Sequence, residues 1–206
     1  MKLLFATRSA GKQREIRRLL EAAGHEVVFP DDAGVPESPL EETLEASDSF
    51  ETNARLKAEY FLKRTGLATA ADDSGLEVFS LGGQPGVRSK RWAGATGTPR
   101  QVDEANNGEL LRRLIGAPES RRRARYRCAI VLLRAPNAFP EVFHGTCGGL
   151  ILEQPRGTGG FGYDPLFLCD ELGQTFGEAS AEEKDRVSHR GRALAAMVQA
   201  IGGGAT

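Results

Sequence analysis

The sequence predicts an α/β domain with a central sheet flanked by helices, and three observations carry the prediction. Strand-like apolar runs alternate with segments whose apolar residues recur at helical spacing. The first of these segments form a β–α–β unit. No internal repeat or low-complexity stretch breaks the alternation. At 206 residues, 40% hydrophobic and 27% charged, the chain fits one medium domain. A chain of this size buries roughly 70% of its unfolded surface, so it needs no disulfide or metal to hold a core. We read residues 1–206 as a single domain, with the central hairpin supplying a second lobe.

Leu3, Leu4 and Phe5 predict a short buried strand, and residues 7–11 a loop of small and polar residues. From Lys12 onward, Ile16, Leu19, Leu20 and Ala23 share a helix face that Gly24 ends; residues 25–29 return as a strand. Residues 30–39 make a turn-rich, acidic connection. Residues 50–65 are helical, with Ala54, Leu56, Tyr60 and Phe61 as the apolar set and Gly66 as the stop. Residues 67–71 predict a buried strand that runs into the turn chemistry of Asp72-Asp73-Ser74-Gly75. A strand over 76–79 and a loop over 82–86 follow. A helix is expected over 103–115, a strand over 128–133 and its partner over 141–152, joined through Pro136 and Asn137. A glycine-rich stretch covers 157–162, and the last helix runs from about 191 to 201.

Composition excludes several classes. A net charge of −1 provides no global basic field for nucleic acid. Cys128, Cys147 and Cys169 form no CxxC or metal-like spacing with the three histidines, so reduced structural thiols are expected. The opening MKLLFATRSAGK is too short in apolar residues for a secretory signal, and no run of about 18 apolar residues exists. A cytoplasmic protein with no membrane partner is the expectation.

Five constellations carry chemistry, although each is also compatible with plain structure when read alone. Thr7-Arg8-Ser9-Ala10-Gly11-Lys12 joins a strand to a helix, where backbone N–H groups and a lysine attract phosphate. It lacks the Walker A spacing. Asp72 and Asp73 repel one another, and a divalent cation that also bridges phosphate oxygens relieves that repulsion. Asn53 and Lys57 stand four apart on one helix face, with Glu45 upstream to complete a metal site. In Gly159-Gly160-Phe161-Gly162-Tyr163-Asp164-Pro165, an aromatic face suits a nucleobase and Asp164 suits ring N–H groups. Lys184 and Arg190 can hold phosphate or base oxygens, and His189 can donate or accept hydrogen bonds. Elsewhere, Arg121, Arg122, Arg123, Arg125 and Arg127 suggest a solvated sheet face or edge, with a dimer interface or nucleic-acid patch as the alternative.

The order of these motifs resembles the inosine triphosphate pyrophosphatase family over essentially the whole chain. The matching stretches are Ala71-Asp72-Asp73-Ser74-Gly75-Leu76, Pro85-Gly86-Val87, the run from Gly157 through Tyr163-Asp164-Pro165 to Phe167, and Glu183-Lys184 with Ser188-His189-Arg190-Gly191. The resemblance implies a mixed central sheet flanked by helices, in two lobes with the active-site cleft between them. It implies Asp73 as the general base, and Glu45 and Asp73 as Mg²⁺ ligands with Asp72 close by. Thr7, Arg8, Ser9, Ala10, Gly11, Lys12, Lys57 and Ser74 correspond to phosphate-side contacts. Phe161, Gly162, Tyr163, Asp164, Lys184, His189 and Arg190 correspond to the pocket for a 6-oxo base. A homodimer is implied too. Two positions depart from the pattern: Ser9 stands where the family has Asn, and Thr52-Asn53-Ala54 replaces Glu-Asn-Ala. Glu41 and Glu42 remain alternatives to Glu45 as the metal ligand.

The activity so implied is hydrolysis of ITP, dITP and XTP to the monophosphate and pyrophosphate, which cleanses the nucleotide pool. A phosphatase working through a phospho-aspartate is a rival that would release orthophosphate. A non-catalytic nucleotide-binding or regulatory module is a second; against it, Asp73→Asn should abolish turnover while leaving ITP binding largely intact, and unchanged turnover would remove Asp73 from its role.

Overall fold

The computed structural model describes residues 2–202 and shows a mixed α/β architecture. In chain order the elements are β1 (Lys2–Phe5), α1 (Ala10–Ala22), β2 (Glu26–Val28), α2 (Leu40–Thr43), α3 (Phe50–Thr65), β3 (Thr69–Val78), α4 (Pro99–Arg113), β4 (Arg123–Leu133), β5 (Glu141–Ile151), β6 (Phe167–Cys169), α5 (Ala181–Val187) and α6 (His189–Gly202). One six-stranded sheet has the order β2-β1-β3-β4-β5-β6. β1 pairs parallel with both β2 and β3, whereas β5 and β6 are antiparallel. The expected opening β–α–β unit is therefore present. Residues 141–151 do form the neighbour of β4.

The chain divides into two compact units, the first of residues 1–73, 128–145 and 190–206, the second of 74–127 and 146–189. The division falls inside β3, β4 and β5.

In the first unit the sheet separates two cores. Leu3, Phe5, Ala70, Ile130 and Leu132 pack with Ile16 and Leu20 of α1 and with Leu194 and Met197 of α6. Leu4, Ala71, Val131 and Leu133 pack instead with Ala54, Ala58 and Phe61 of α3. Successive strand residues face opposite sides of a sheet, so Ala70 belongs to one core and Ala71 to the other. α3 begins at Ser49, whose side chain accepts from the Thr52 N–H, and ends at Gly66 with φ of 69°.

The second unit has its own core, in which Leu76, Leu110, Tyr126, Ile151, Phe167 and Phe176 are buried. α4 opens on a capping box between Thr98 and Gln101 with Pro99 at its first position, four residues before the start expected from periodicity. On β4, Arg123 and Arg125 are exposed while Ala124 and Tyr126 are buried. Since β4 is interior to the sheet, Arg123 and Arg125 decorate a solvated face and not an edge, whereas Arg122 is buried and donates to the carbonyls of Leu114, Ile151 and Leu152.

The main correction concerns Asp72-Asp73-Ser74-Gly75. These residues lie in the middle of one ten-residue strand, not in a turn between two. β3 sits between β1 and β4, and ladder pairing there outweighs the local turn preference of Asp, Ser and Gly. Gly75 is needed for packing: a Cβ would lie 2.2 Å from the Gly86 carbonyl oxygen and 2.6 Å from Ser89 Oγ. β6, α2 and α5 are too short to leave a periodic signature. All three cysteines are reduced thiols and fully buried. No helix among the described residues is long and apolar enough to cross a membrane.

Candidate active site

The strand conformation of β3 turns the acidic pair into two separate sites. Asp72 continues the side of Ala70, toward α1 and α6, and Asp73 the side of Ala71, toward α3. The two carboxylates therefore have different hydrogen-bond partners, although Lys12 and Lys57 act on both.

Asp72 is completely buried. Its Oδ2 accepts from Lys12 Nζ at 2.9 Å and Arg190 Nε at 3.2 Å. Burial opposes ionisation, yet Lys12, Arg190 and Lys57 outweigh it and hold this carboxyl well below the usual range. Arg190 is itself buried and also ion-pairs with Glu15 of α1. Burial works against its charge, but Glu15 and Asp72 push its pKa up. The guanidinium expected in a base pocket thus also pairs with Glu15 and Asp72. Nothing in the sequence marks Glu15, since a glutamate between Arg14 and Ile16 has the pattern of ordinary helix surface.

Asp73 differs in kind. Burial raises its pKa, with Glu45 adding to the effect, while Lys57, Lys12 and a hydrogen bond from Asn53 act the other way. Asn53 Nδ2 donates to Asp73 Oδ2 at 2.9 Å and to the Ser47 carbonyl at 3.1 Å; its Oδ1 accepts from the Ser47 N–H at 3.0 Å. Lys57 Nζ contacts Glu45 Oε1 at 2.6 Å, the Asp72 carbonyl at 2.7 Å and Asp73 Oδ1 at 4.0 Å. Burial opposes the Lys57 charge, but Glu45, Asp73 and Asp72 prevail and raise its pKa. Asn53 and Lys57 thus share a face, as their spacing predicts, and that face meets Asp73.

The phosphate-side loop runs from β1 to α1. Ser9 is the N-cap residue of α1 but its side chain caps no N–H; the Ser9 N–H donates to Thr7 Oγ1 at 3.3 Å. Gln13 Nε2 donates to the Thr7 carbonyl at 3.0 Å, bracing the loop. First-turn N–H groups of a helix have no partner within the helix and suit an anion. Arg8 points to Asp31, Glu41 and the Val35 carbonyl. Ser74 is partly exposed and lies in the second unit.

In the second unit, the Asp164 carboxylate accepts from the Phe161 N–H at 2.9 Å, ion-pairs with Lys184, and lies 3.5 Å from Tyr126 Oη. Lys184 Nζ sits 4.8 Å from the Phe161 ring centroid. The His189 ring stacks on Tyr126 at 4.6 Å with an interplanar angle of 7°. Tyr163 is buried and donates to the Ser89 carbonyl at 2.8 Å, so Phe161, half-buried, is the better aromatic face for a base. Gly160 must be glycine: its φ is 72°, and a Cβ would lie 2.1 Å from Asp164 Oδ2. Asp103 and Asn107, one turn apart on α4, hold the Gly162 N–H at 2.7 Å and its carbonyl at 3.0 Å. That spacing is visible in the sequence, but only the fold shows what it grips.

Mg²⁺ takes one or two carboxylates, with water and substrate phosphates filling its remaining positions. The oxygens of Glu45, Asp73 and the Asp72 carbonyl around Lys57 are such a hard donor set, and already hold a cationic group. No cluster of three His, Cys, Asp or Glu arranged for a metal exists among the described residues.

The profile of the Ham1 family matches residues 3–200. A dITP/XTP pyrophosphatase of Thermus thermophilus is 44% identical over 200 residues, covering 97% of this chain and 91% of its own. One from Shigella flexneri is 44% identical over 204 residues, covering 98% and 99%. Among solved structures, a HAM1 protein from Coxiella burnetii aligns with a TM-score of 0.83 at 33% identity over 98% of both chains. A nucleoside-triphosphatase, or dITP/XTP pyrophosphatase, from Mycobacterium abscessus aligns with a TM-score of 0.71 at 44% identity, over 96% of this chain and 98% of that one. The chain belongs to the Ham1 family.

Proposed function

We propose that this chain hydrolyses the deaminated purine nucleoside triphosphates ITP, dITP and XTP to the monophosphate and pyrophosphate, and so cleanses the nucleotide pool. The observation that carries the reading is the placement of the adjacent aspartates: Asp72 is held between Lys12 and Arg190, while Asp73 accepts from Asn53 with Lys57 and Glu45 beside it, and burial pushes its pKa up. A carboxylate made more basic by burial is suited to general-base work near neutral pH. The names of the full-length relatives support the substrate class.

Asp73 takes the proton of a water that attacks the α-phosphorus, and Asn53 fixes the orientation of its carboxylate. Lys12 and the first turn of α1 stabilise negative charge on the departing pyrophosphate. Glu45 and Asp73 would hold Mg²⁺, which would supply positive charge to neutralise the triphosphate. The choice of Glu45 over Glu41 is supported by its contact with Lys57 and its influence on Asp73, whereas Arg8 occupies Glu41. In the second unit, Phe161, Lys184 and His189 select a 6-oxo base. A 6-amino base leaves their polar groups unpaired, a penalty that discriminates strongly. We also propose a cytoplasmic homodimer without a nucleic-acid partner, in keeping with the net charge of −1.

The test is a panel of ITP, XTP, GTP and ATP with pyrophosphate detection and a control lacking Mg²⁺. Pyrophosphate from ITP and XTP in preference to ATP is expected; orthophosphate as the first product from ITP would sink the reading. Light scattering on a sizing column checks the dimer.

A further inference from the structure

The chain between β2 and α3 is an acidic strap. Residues 30–49 carry seven carboxylates and no Lys or Arg. Between residues 31 and 49 the only buried side chain is Val35, at 9% exposure. A segment that repels itself and buries so little is held by cations supplied from outside it. Near its end those are Lys57 on Glu45, with Asn53 gripping both polar groups of Ser47. Near its start it is Arg8. Arg8 Nε and Nη2 form a two-pronged pair with Glu41 Oε2 and Oε1, each at 2.8 Å. Nη2 also donates to the Val35 carbonyl at 3.0 Å, and Nη1 pairs with Asp31. Arg17 adds only a 3.5 Å contact to Asp32 at the surface. Three points of the strap are therefore fastened by one guanidinium, whose donors are largely consumed.

We propose that Arg8 is a positioning residue, clamping the strap at Asp31, Val35 and Glu41 so that Glu45 is presented beside Asp73, and that it is not a phosphate ligand. The consequence for metal rests on the reading of Glu45 as a Mg²⁺ ligand; the clamp itself does not. Lysine cannot reproduce the planar fork, so Arg8→Lys is expected to behave as a partial loss.

Full-length wild type, Arg8→Lys, Arg8→Ala, Glu41→Gln and Glu45→Gln are compared by hydrogen exchange, without metal or nucleotide, and by Mg²⁺ titration of ITP hydrolysis. Arg8→Ala and Glu41→Gln should speed exchange over residues 36–48 about tenfold, with α3 and β3 unchanged. They should raise the Mg²⁺ half-activation concentration by roughly 10–100-fold, the range for groups that orient metal ligands. The KM for ITP at saturating Mg²⁺ should stay within about twofold. Wild-type exchange over 36–48 in Arg8→Ala overturns the proposal. So does a raised KM at saturating Mg²⁺ with unchanged Mg²⁺ dependence, the mark of a phosphate ligand. If Glu45→Gln leaves the Mg²⁺ dependence unchanged while Arg8→Ala still frees the strap, the metal reading of Glu45 fails and the clamp is supported.

Discussion

Replacing Asp72 by Asn removes the one negative charge that Lys12 and Arg190 share. The wild-type carboxylate has no exposure and is held at 2.9 and 3.2 Å by the two cations. Removing one partner of a buried ion pair costs about 3–5 kcal/mol, because the remaining charge keeps its desolvation penalty. Asn preserves shape and one acceptor, and Arg190 retains Glu15, so the lower end, about 3 kcal/mol, applies. For a chain of this length that is a fall in Tm of roughly 6–12 °C. The sign of the pH dependence follows from the depressed carboxyl. Its contribution is fully present above the ordinary aspartate value near ~4 and is lost as pH falls through the lower folded value. The gap between wild type and Asp72→Asn should therefore be constant from pH 8 down to 5 and close only in stronger acid. Urea unfolding followed by circular dichroism measures it. A loss under about 1 kcal/mol at pH 7, or one already gone at pH 5, would refute a stabilising ionised Asp72.

Asp73→Asn should lower turnover about 10²–10⁴-fold while ITP binding persists. Because the folded state raises this pKa, Asp73 adds stability only below its unfolded value, and that is lost as pH rises through the folded one. In EDTA the variant should melt no lower than wild type at pH 7, with any advantage gone near pH 4; a lower Tm at pH 7 contradicts this. Lys184→Met leaves the Asp164 carboxylate buried without its cation and should cost about 3–5 kcal/mol in urea unfolding, with Lys184→Arg milder; a cost under about 1 kcal/mol contradicts the pairing. Gly75→Ala forces a methyl against the Gly86 carbonyl and Ser89 and should cost about 1–3 kcal/mol, whereas a neutral result would mean that this approach is slack.

What could be read in the sequence was local. α3 lies where its periodicity, Ser49 and Gly66 place it, because capping is written in neighbouring residues. The opening β–α–β unit and the β4–β5 neighbours are equally visible. The single strand through Asp72–Gly75 was not, since turn-forming residues yield to sheet pairing only once the neighbouring strands are known. The separate roles of Asp72 and Asp73 follow from that strand by simple alternation. Contacts across long stretches of chain, such as Arg190 with Glu15 and Arg8 with Glu41, leave no trace in spacing. They give protein partners to two arginines that motif order alone groups with the nucleotide.

The most direct test of a water activated by Asp73 and aimed at the α-phosphorus is hydrolysis of ITP with Mg²⁺ in ¹⁸O-enriched water, with products analysed by mass spectrometry. One ¹⁸O in the inosine monophosphate and none in the pyrophosphate is the expected result. Label in pyrophosphate or orthophosphate, with unlabelled nucleotide product, would contradict it.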